Sequence, residues 1–460
     1  MFGLTLYAVA FQGLLGPWDG AFGGIWILLT FAYALFHTGF CLLVRTVLRP
    51  ATLAICLAGP FAVVAYEYIR HLMTWAYDGC GLTFCLVGQS WVDQRILLQC
   101  TDVGGVWLLS FGVACVTSML VLSLASEIPW KRRLWWEACG AFLIVAFVAY
   151  GMWAAAVPIQ KSHSGWVVTA AESFTRESVS RIDRLIRQQL DSVERPDWLC
   201  VVGPETALSW DSTDSSQSPS ERDAQYSLTQ LTQEHSCQAI VGAWVRDGSG
   251  NSVRNSAVLL QSGRLLSIVD KQHQVPFVEG RPLGTGLLNR AGLIPLGASR
   301  DIAPAQPVDI VALERANYLF RPGVCYDLFF AEQYQHPGGA VGSPIVCCLD
   351  ESFDGNGVFR KLSRLHAKLR AVEFRSCVIR CSLGGNTAVI DCSGNTLTPQ
   401  LKRDNLFFYK DVGGSKISFY ARSGDWFPRI SCVLVIVLPF GQRLLAGWRV
   451  PHGGPTDGNS

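Results

Sequence analysis

The chain has 460 residues, enough for two or three structural units. Half of its residues are apolar and only 16% are charged, against about 25% in soluble domains. The net charge of +2 excludes nucleic-acid binding by bulk electrostatics. The apolar excess lies in residues 1–157 and near the C-terminal end, which predicts membrane helices, whereas 158–428 resembles a soluble domain with its own core.

Six apolar stretches predict a multi-pass membrane protein. They lie at about 1–16, 22–44, 51–67, 104–126, 135–157 and 430–448. Basic residues at 45–49 and 131–133 are expected in the cytoplasm. If the first five stretches all cross, the soluble domain is extracytoplasmic. The predicted organisation is transmembrane helices in 1–157, a catalytic domain in 158–428, and a closing helix with a short tail in 429–460.

Residues 68–103 connect two predicted membrane helices and are too polar for a plain span. Two interpretations are open for this aromatic-rich segment. It is either an interfacial loop with an aromatic belt or a rim that faces the substrate.

The 16 cysteines include no CxxC pair and no Cys/His grouping at zinc spacing. Cys347, Cys348, Cys377 and Cys381 are therefore predicted to be small core residues rather than disulfides or metal ligands. No metal or diffusible cofactor is implied.

Strand and helix patterns alternate from residue 158 onward, which predicts an α/β domain with buried sheets. Helices are expected at 172–194, from about 220 to 235 and at 357–375, with a Ser/Asp-rich loop at 209–220 and a Pro/Gly-rich loop at 276–307. Strands are expected at 198–202, 238–246, 255–261, 264–270, 308–314, 319–324, 344–349, 376–382 and 386–391.

Three candidate catalytic residues each follow a hydrophobic strand. Glu205 stands in Gly-Pro-Glu after the strand at 198–202, and Lys271 follows the strand at 264–270. Cys325 follows Arg-Pro-Gly-Val at an expected strand-to-helix turn, where a helix dipole lowers a thiol's pKa. His273, two residues beyond Lys271, is interpreted as a loop histidine.

A base, a cation and a thiol are what acyl transfer from a carbonyl requires. The base takes the thiol proton, the sulfur attacks and forms a thioester, and the cation stabilises the tetrahedral oxyanion. An incoming nucleophile then resolves the acyl-enzyme.

The order Glu, Lys, Cys resembles the nitrilase superfamily, and the membrane flanks resemble its integral-membrane branch, the apolipoprotein N-acyltransferases. Local matches cover roughly residues 50–450. They are Tyr66-Glu67-Tyr68-Ile69-Arg70, Asp102–Phe111, Val275-Pro276-Phe277-Val278-Glu279, Ala371-Val372-Glu373 and Tyr420-Ala421-Arg422-Ser423-Gly424-Asp425-Trp426.

The resemblance implies an α-β-β-α sandwich joined to a multi-pass helical membrane domain in the bacterial inner membrane, with the catalytic domain periplasmic. It implies Glu205 as general base, Lys271 as oxyanion stabiliser and Cys325 as nucleophile, with Glu279, Tyr326 and Asp327 supporting them. The implied donor is a phospholipid acyl chain, and the implied acceptor is the N-terminal amine of a lipoprotein.

Several elements depart from the family pattern. Asp327 stands where the family has Glu in Cys-Tyr-Glu, and the Gln-Gly-Asn element is absent from 166–173. Leu349–Phe353 replaces Asn-Asp-Ala-Trp-Phe, and Ser382–Asn386 replaces Thr-Asn-x-Gly. A conjugative-transfer paralogue that processes or cyclises a pilin peptide, using a peptide acyl donor, is therefore an alternative. A non-catalytic assembly scaffold is a third hypothesis, and a plain nitrile or amide hydrolase is disfavoured because it has little need for a membrane part.

Overall fold

A computed structural model describes most of the chain. The described residues are 23–47, 52–73, 85–124, 129–157, 165–191, 196–211, 217–246, 253–275, 279, 320–335, 343–354, 357–414 and 418–447. The expected strand at 308–314, the first apolar stretch and most of the loop at 276–307 lie outside these residues.

The N-terminal third is helical. Its helices are α1 (Gly23–Val47), α2 (Thr52–Leu72), α3 (Arg95–Leu98), α4 (Thr101–Leu124) and α5 (Trp130–Ala156), with a 3-10 turn at Val87–Trp91. Among the described residues, two stretches are long and apolar enough to cross a membrane, Thr101–Leu124 and Arg133–Ala156. The wider multi-pass arrangement stays a prediction.

Helix α4 is interrupted near its start. Gly104 and Gly105 have non-helical backbone angles, and Gly105 has a positive φ of 64°. A Cβ at Gly105 would lie 2.6 Å from the Tyr420 ring, so a larger residue has no room there. The break frees the Val106 N–H, which donates to Glu373 Oε1 at 2.9 Å.

The described part of the predicted connector, residues 85–103, contacts both the helices and the α/β part, and its role as an interfacial loop or a substrate-facing rim stays a prediction. Glu67 accepts from the Val87 N–H at 2.6 Å, which ties the connector to α2. Gln89 lies 2.7 Å from His366, and Gln99 donates to the Ser393 carbonyl at 3.1 Å. The segment is therefore packed between the helices and the α/β part.

The α/β part begins with strands and two capped helices. In chain order these are β1 (Gly165–Ala170), α6 (Arg176–Leu190), β2 (Trp198–Val202), β3 (Leu208–Asp211), α7 (Pro219–Glu234), β4 (Gln238–Arg246), β5 (Val253–Gln261) and β6 (Arg264–Asp270). Thr175 and Ser218 each form a capping box, which sets the starts of α6 and α7.

The second half of the α/β part holds the remaining elements. They are β7 (Arg321–Val324), β8 (Ile345–Asp350), α8 (Val358–Glu373), β9 (Val378–Leu383), β10 (Ala388–Ile390), β11 (Leu401–Arg403), β12 (Leu406–Val412), α9 (Phe419–Ser423) and α10 (Trp426–Gly447). Cys325–Phe329 and Glu332–Tyr334 are 3-10 turns.

Two sheets face each other and are covered by helices. The large sheet has the order β11-β12-β1-β2-β4-β5-β6, with β3 beside β4, and the small sheet has the order β10-β9-β8-β7. Along β1, Val168 packs with α6 and α7, whereas Val167 packs with the small sheet. Because both faces are buried, the strands read as apolar runs. The result is the predicted α-β-β-α sandwich.

Most expected elements are confirmed, with boundary shifts at the helices. Helix α6 is shorter than 172–194 because Thr175 caps it. The expected loop at 209–220 is partly wrong, since Leu208–Asp211 pairs with β4 as a strand. The four predicted core cysteines are buried, unbridged thiols.

The buried Glu373 carboxylate on α8 connects the sandwich to helix α4, because it accepts a hydrogen bond from the Val106 N–H. We expect Glu373→Ala to lower the free energy of unfolding by about 3–5 kcal/mol, because Arg370 Nε lies 3.1 Å from Glu373 Oε2 and both side chains are buried. Chemical denaturation in detergent would measure this. Glu373→Gln keeps an acceptor for Val106 and should lose less. A loss no larger than that of Glu234→Ala, an exposed control, would contradict the expectation.

Candidate functional site

Glu205 follows β2 in a tight turn. The Glu205 N–H donates to the Leu349 carbonyl at 3.2 Å, and the Gly242 N–H donates to the Pro204 carbonyl at 3.1 Å. A Cβ at Gly242 would lie 2.5 Å from Glu205 Cα, so glycine allows β4 to pass this close. The buried carboxylate is therefore fixed between the two sheets.

Lys271 directly follows β6 and is almost fully buried. Its N–H donates to the Asn255 carbonyl at 2.8 Å. Its Nζ lies 3.0 Å from Glu205 Oε1 and 2.9 Å from Glu279 Oε1, so one ammonium is shared by two carboxylates. Only 3% of the lysine side chain is exposed, so the ammonium has lost most of its hydration. The two carboxylates compensate for that loss.

Cys325 ends β7 in a strained turn. Its φ is 48°, a left-handed conformation that is uncommon for a non-glycine residue and often found at functional sites. The turn continues as a 3-10 helix, where a strand-to-helix turn was expected. The buried thiol lies within electrostatic reach of Glu205, Lys271 and Glu279. The structure thus brings Glu205, Lys271, Cys325 and Glu279 together.

Asp327 connects the cysteine turn with the lysine loop. Its carboxylate accepts from the Val324 N–H at 3.1 Å and from the His273 N–H at 2.8 Å. It also accepts from the Gln272 N–H at 3.2 Å and lies 3.0 Å from His273 Nδ1. The Asp327 side chain is shorter than the glutamate of the family pattern, but it still contacts both loops. Tyr326, the other predicted supporting residue, packs against Phe329 and Phe330.

Burial and charge set the protonation of the cluster. Burial raises the pKa of the Cys325 thiol well above its usual range, and the Glu205 charge raises it further, which outweighs Lys271. Burial also raises the pKa of Glu205, although Lys271 opposes this. Burial alone would lower the pKa of Lys271, but the negative charges around it hold that pKa well above its usual range. The expected lowering of the thiol pKa by a helix dipole is therefore wrong for the resting protein.

Comparison with protein families and curated proteins gives one consistent result. The model of the apolipoprotein N-acyltransferase N-terminal domain matches residues 1–120. An apolipoprotein N-acyltransferase of Gloeobacter violaceus is 25% identical over 381 residues, covering 79% of this chain and 67% of that protein. One from Pseudomonas paraeruginosa is 27% identical over 335 residues, covering 68% and 60%.

The chain is related to the apolipoprotein N-acyltransferases. It spans between about half and two thirds of the length of the curated relatives that it matches. Among solved structures, an amidase from Nesterenkonia sp. is similar at 13% identity and a TM-score of 0.36, over 57% of this chain and 94% of that one. A carbon-nitrogen hydrolase from Helicobacter pylori has a TM-score of 0.35. These scores are too low to bear on function.

Two contacts of the site were not predicted from the sequence. The Asn255 amide donates to Glu205 Oε1 at 2.7 Å and to Glu279 Oε1 at 3.0 Å. The Asp350 N–H donates to Glu205 Oε2 at 3.1 Å. A signal for Asn255 was present, because alternation puts it on the same face of β5 as the buried Ala257 and Leu259. A backbone N–H leaves no signal in the sequence.

The departure at Leu349–Phe353 has a structural counterpart. Glu351 is fully buried and accepts from Arg380 Nη2 at 2.7 Å and from the Ser382 hydroxyl at 2.9 Å. A Cβ at Gly385 would lie 2.0 Å from Glu351 Oε2, so glycine at 385 accommodates this glutamate. The pair fixes the strand end that carries the Asp350 N–H. Among the described residues, no group of three or more His, Cys, Asp or Glu side chains is arranged to hold a metal ion.

Removing the shared lysine tests how the cluster is balanced. We expect Lys271→Met to lower the free energy of unfolding by about 3–5 kcal/mol at pH 8, because Glu205 and Glu279 lose their buried cation. The loss should be smaller at pH 5. Lys271 opposes the raised pKa of Glu205, so without the lysine that pKa rises further. The folded variant then binds more protons than the unfolded chain above about pH 4.3, and its stability falls with rising pH more steeply than that of the wild type.

Denaturant titrations at the two pH values would measure this. Lys361→Met is the control, because Lys361 is exposed on α8 and should change little at either pH. An equal loss for Lys271→Met at pH 5 and pH 8 would contradict the charge argument.

Proposed function

We propose that this chain is a membrane-embedded cysteine acyltransferase that acylates the N-terminal amine of lipoproteins. The observation that carries the proposal is the buried cluster in which Lys271 lies between Glu205 and Glu279 beside the Cys325 thiol. The relationship to apolipoprotein N-acyltransferases supports the choice of donor and acceptor. The donor is a phospholipid ester, and the acceptor is a lipidated N-terminal cysteine.

The first half-reaction is attack of Cys325 on the ester carbonyl. Glu205 Oε2 takes the thiol proton as sulfur bonds to carbon, and Lys271 stabilises the resulting oxyanion. The carbon–oxygen bond to the lysophospholipid then breaks, and Glu205 returns its proton to the departing oxygen. A Cys325 thioester remains, and the lysophospholipid leaves.

The second half-reaction transfers the acyl group to the amine. A neutral amine attacks the thioester carbonyl, and the carbon–sulfur bond breaks as the amide forms. Glu205 accepts the proton lost by the amine, and the proton then restores the thiol. The raised pKa of Glu205 suits a group that alternates between base and acid.

We infer that the helices are embedded in the bacterial inner membrane, with the sandwich on the periplasmic side. Helix α5 supports embedding, because Phe142, Val145 and Trp153 are more than half exposed on an apolar surface. Basic residues at 131–133 support a cytoplasmic start for α5. The catalytic domain at 158–428 then receives lipid substrates from the membrane below it.

Sided labelling tests this orientation. We expect a membrane-impermeant maleimide to label Ser220→Cys in intact spheroplasts, because Ser220 is exposed on the sandwich. Lys131→Cys, at the start of α5, should be labelled only after permeabilisation. The parent protein provides the background from its own cysteines. Labelling of Lys131→Cys but not of Ser220→Cys in intact spheroplasts would reverse the orientation.

The replacement at Leu349–Phe353 favours a second candidate with the same chemistry. The buried Glu351–Arg380 pair lies in the segment that departs from the family pattern and fixes the strand end whose Asp350 N–H donates to Glu205, so this side of the site can accept a different acyl donor. In this alternative the donor is a peptide, as in processing or cyclisation of a pilin subunit in conjugative transfer. A peptidyl thioester on Cys325 then replaces the fatty-acyl thioester.

Intact-mass spectrometry of protein purified from its native membrane separates these candidates. We expect a fatty-acyl adduct on the wild-type protein and on Cys237→Ala, a control that removes a different buried thiol. Cys325→Ala should carry no adduct and should lose acylation of a diacylated lipopeptide. A peptidyl adduct would favour the second candidate, and an active Cys325→Ala protein would overturn the mechanism.

A further inference from the structure

Asn255 lies at the centre of the carboxylate cluster, and its hydrogen bonds go to the two glutamates. Its Nδ2 donates to Glu205 Oε1 at 2.7 Å and to Glu279 Oε1 at 3.0 Å. The residue is 4% exposed and lies on β5 opposite Trp244. An amide nitrogen has two hydrogens, so both are used by these two acceptors.

The orientation of the amide is dictated by charge. Turning it over would put Oδ1 against two carboxylate oxygens, which is unfavourable in a buried site. In the observed orientation the buried Oδ1 has no hydrogen-bond partner among the residues that the structure describes. The group therefore serves as a donor, even though its own acceptor is left unsatisfied.

These contacts make the two oxygens of Glu205 unequal. Oε1 accepts from Lys271 Nζ at 3.0 Å and from Asn255 Nδ2, so its lone pairs are occupied by donors. Oε2 accepts from the Asp350 N–H at 3.1 Å. A proton leaving the Cys325 thiol therefore has room on Oε2, whereas a proton on Oε1 would displace a donor.

We propose that Asn255 is a positioning residue that keeps protons off Oε1 of Glu205 and off Glu279, so that the thiol proton is directed to Oε2 of Glu205. It acts through Glu205 rather than on the substrate. The inference rests on the proposed roles of Cys325 and Glu205, and it adds a requirement for a neutral double donor at position 255. A carboxylate there would face Glu205, Glu279, Lys271 and Cys325, with the Arg254–Asp270 pair adjacent on the strands.

The experiment measures alkylation of Cys325 by iodoacetamide across pH 5–9 in the full-length protein, with Cys325→Ala as background. Alkylation needs no lipid, so it reports thiol activation even if the acyl donor has been assigned wrongly. We expect Asn255→Ala to lower the Cys325 rate by roughly 10- to 100-fold, the usual effect of losing a hydrogen bond to a charged group. Its pH profile should rise with pH as in the wild type.

Asn255→Asp is nearly the same size but is a donor only when protonated. Two neighbouring carboxylates raise the pKa of the new acid. We therefore expect a rate that falls as pH rises through that pKa, a descending limb that the wild type and Asn255→Ala lack. Gln238→Glu is the matched control, since this buried amide lies on β4 six residues from Trp244, roughly 20 Å along the strand. It should follow the wild-type profile.

Two results would overturn the proposal. One is an alkylation pattern that does not depend on position 255. Asn255→Ala would then react at the wild-type rate, or the descending limb would be missing from Asn255→Asp or shared by Gln238→Glu. The other is a wild-type Cys325 that reacts no faster than background, because no activated thiol would then exist for Asn255 to serve. If the alkylation pattern holds while lipopeptide acylation fails, the role of Asn255 stands and the proposed substrate falls.

Discussion

The buried ammonium of Lys271 is the contact on which the site depends. Two carboxylates, Glu205 and Glu279, lie within 3.0 Å of it in a buried part of the sandwich. Without the cation, two like charges would be buried together, at a cost of several kcal/mol. The cluster is therefore stable as a unit, and its negative charges help to keep the Cys325 thiol protonated.

The sandwich supplies this cluster from separate strand ends. Glu205 follows β2, Lys271 follows β6 and Cys325 follows β7, so both sheets contribute. Asp327 then joins the cysteine turn to the lysine loop through backbone N–H groups. Because these anchors are backbone donors, the geometry depends on the loops being packed rather than on particular side chains at 272 and 324.

The helical part and the sandwich form one packed structure. Glu373 accepts from the interrupted helix α4, and Asp425 accepts from Trp107 and Tyr420. Residues 85–103 add contacts to α8 through Gln89 and His366. A membrane-embedded acyltransferase of the proposed kind needs such a connection, because its lipid substrate enters from the helices while its thiol lies in the sandwich.

The sequence by itself predicted the α/β alternation and the candidate residues Glu205, Lys271 and Cys325, because strand periodicity and the residue that follows each strand are local properties. The α-β-β-α sandwich was implied by the family resemblance. The tertiary structure alone decided the partners of those residues. Asn255 is 50 positions from Glu205, and Asp350 contributes only a backbone N–H, so neither contact follows from spacing. The direction of the thiol pKa was also beyond the sequence, because it depends on burial and on charges brought from distant strands.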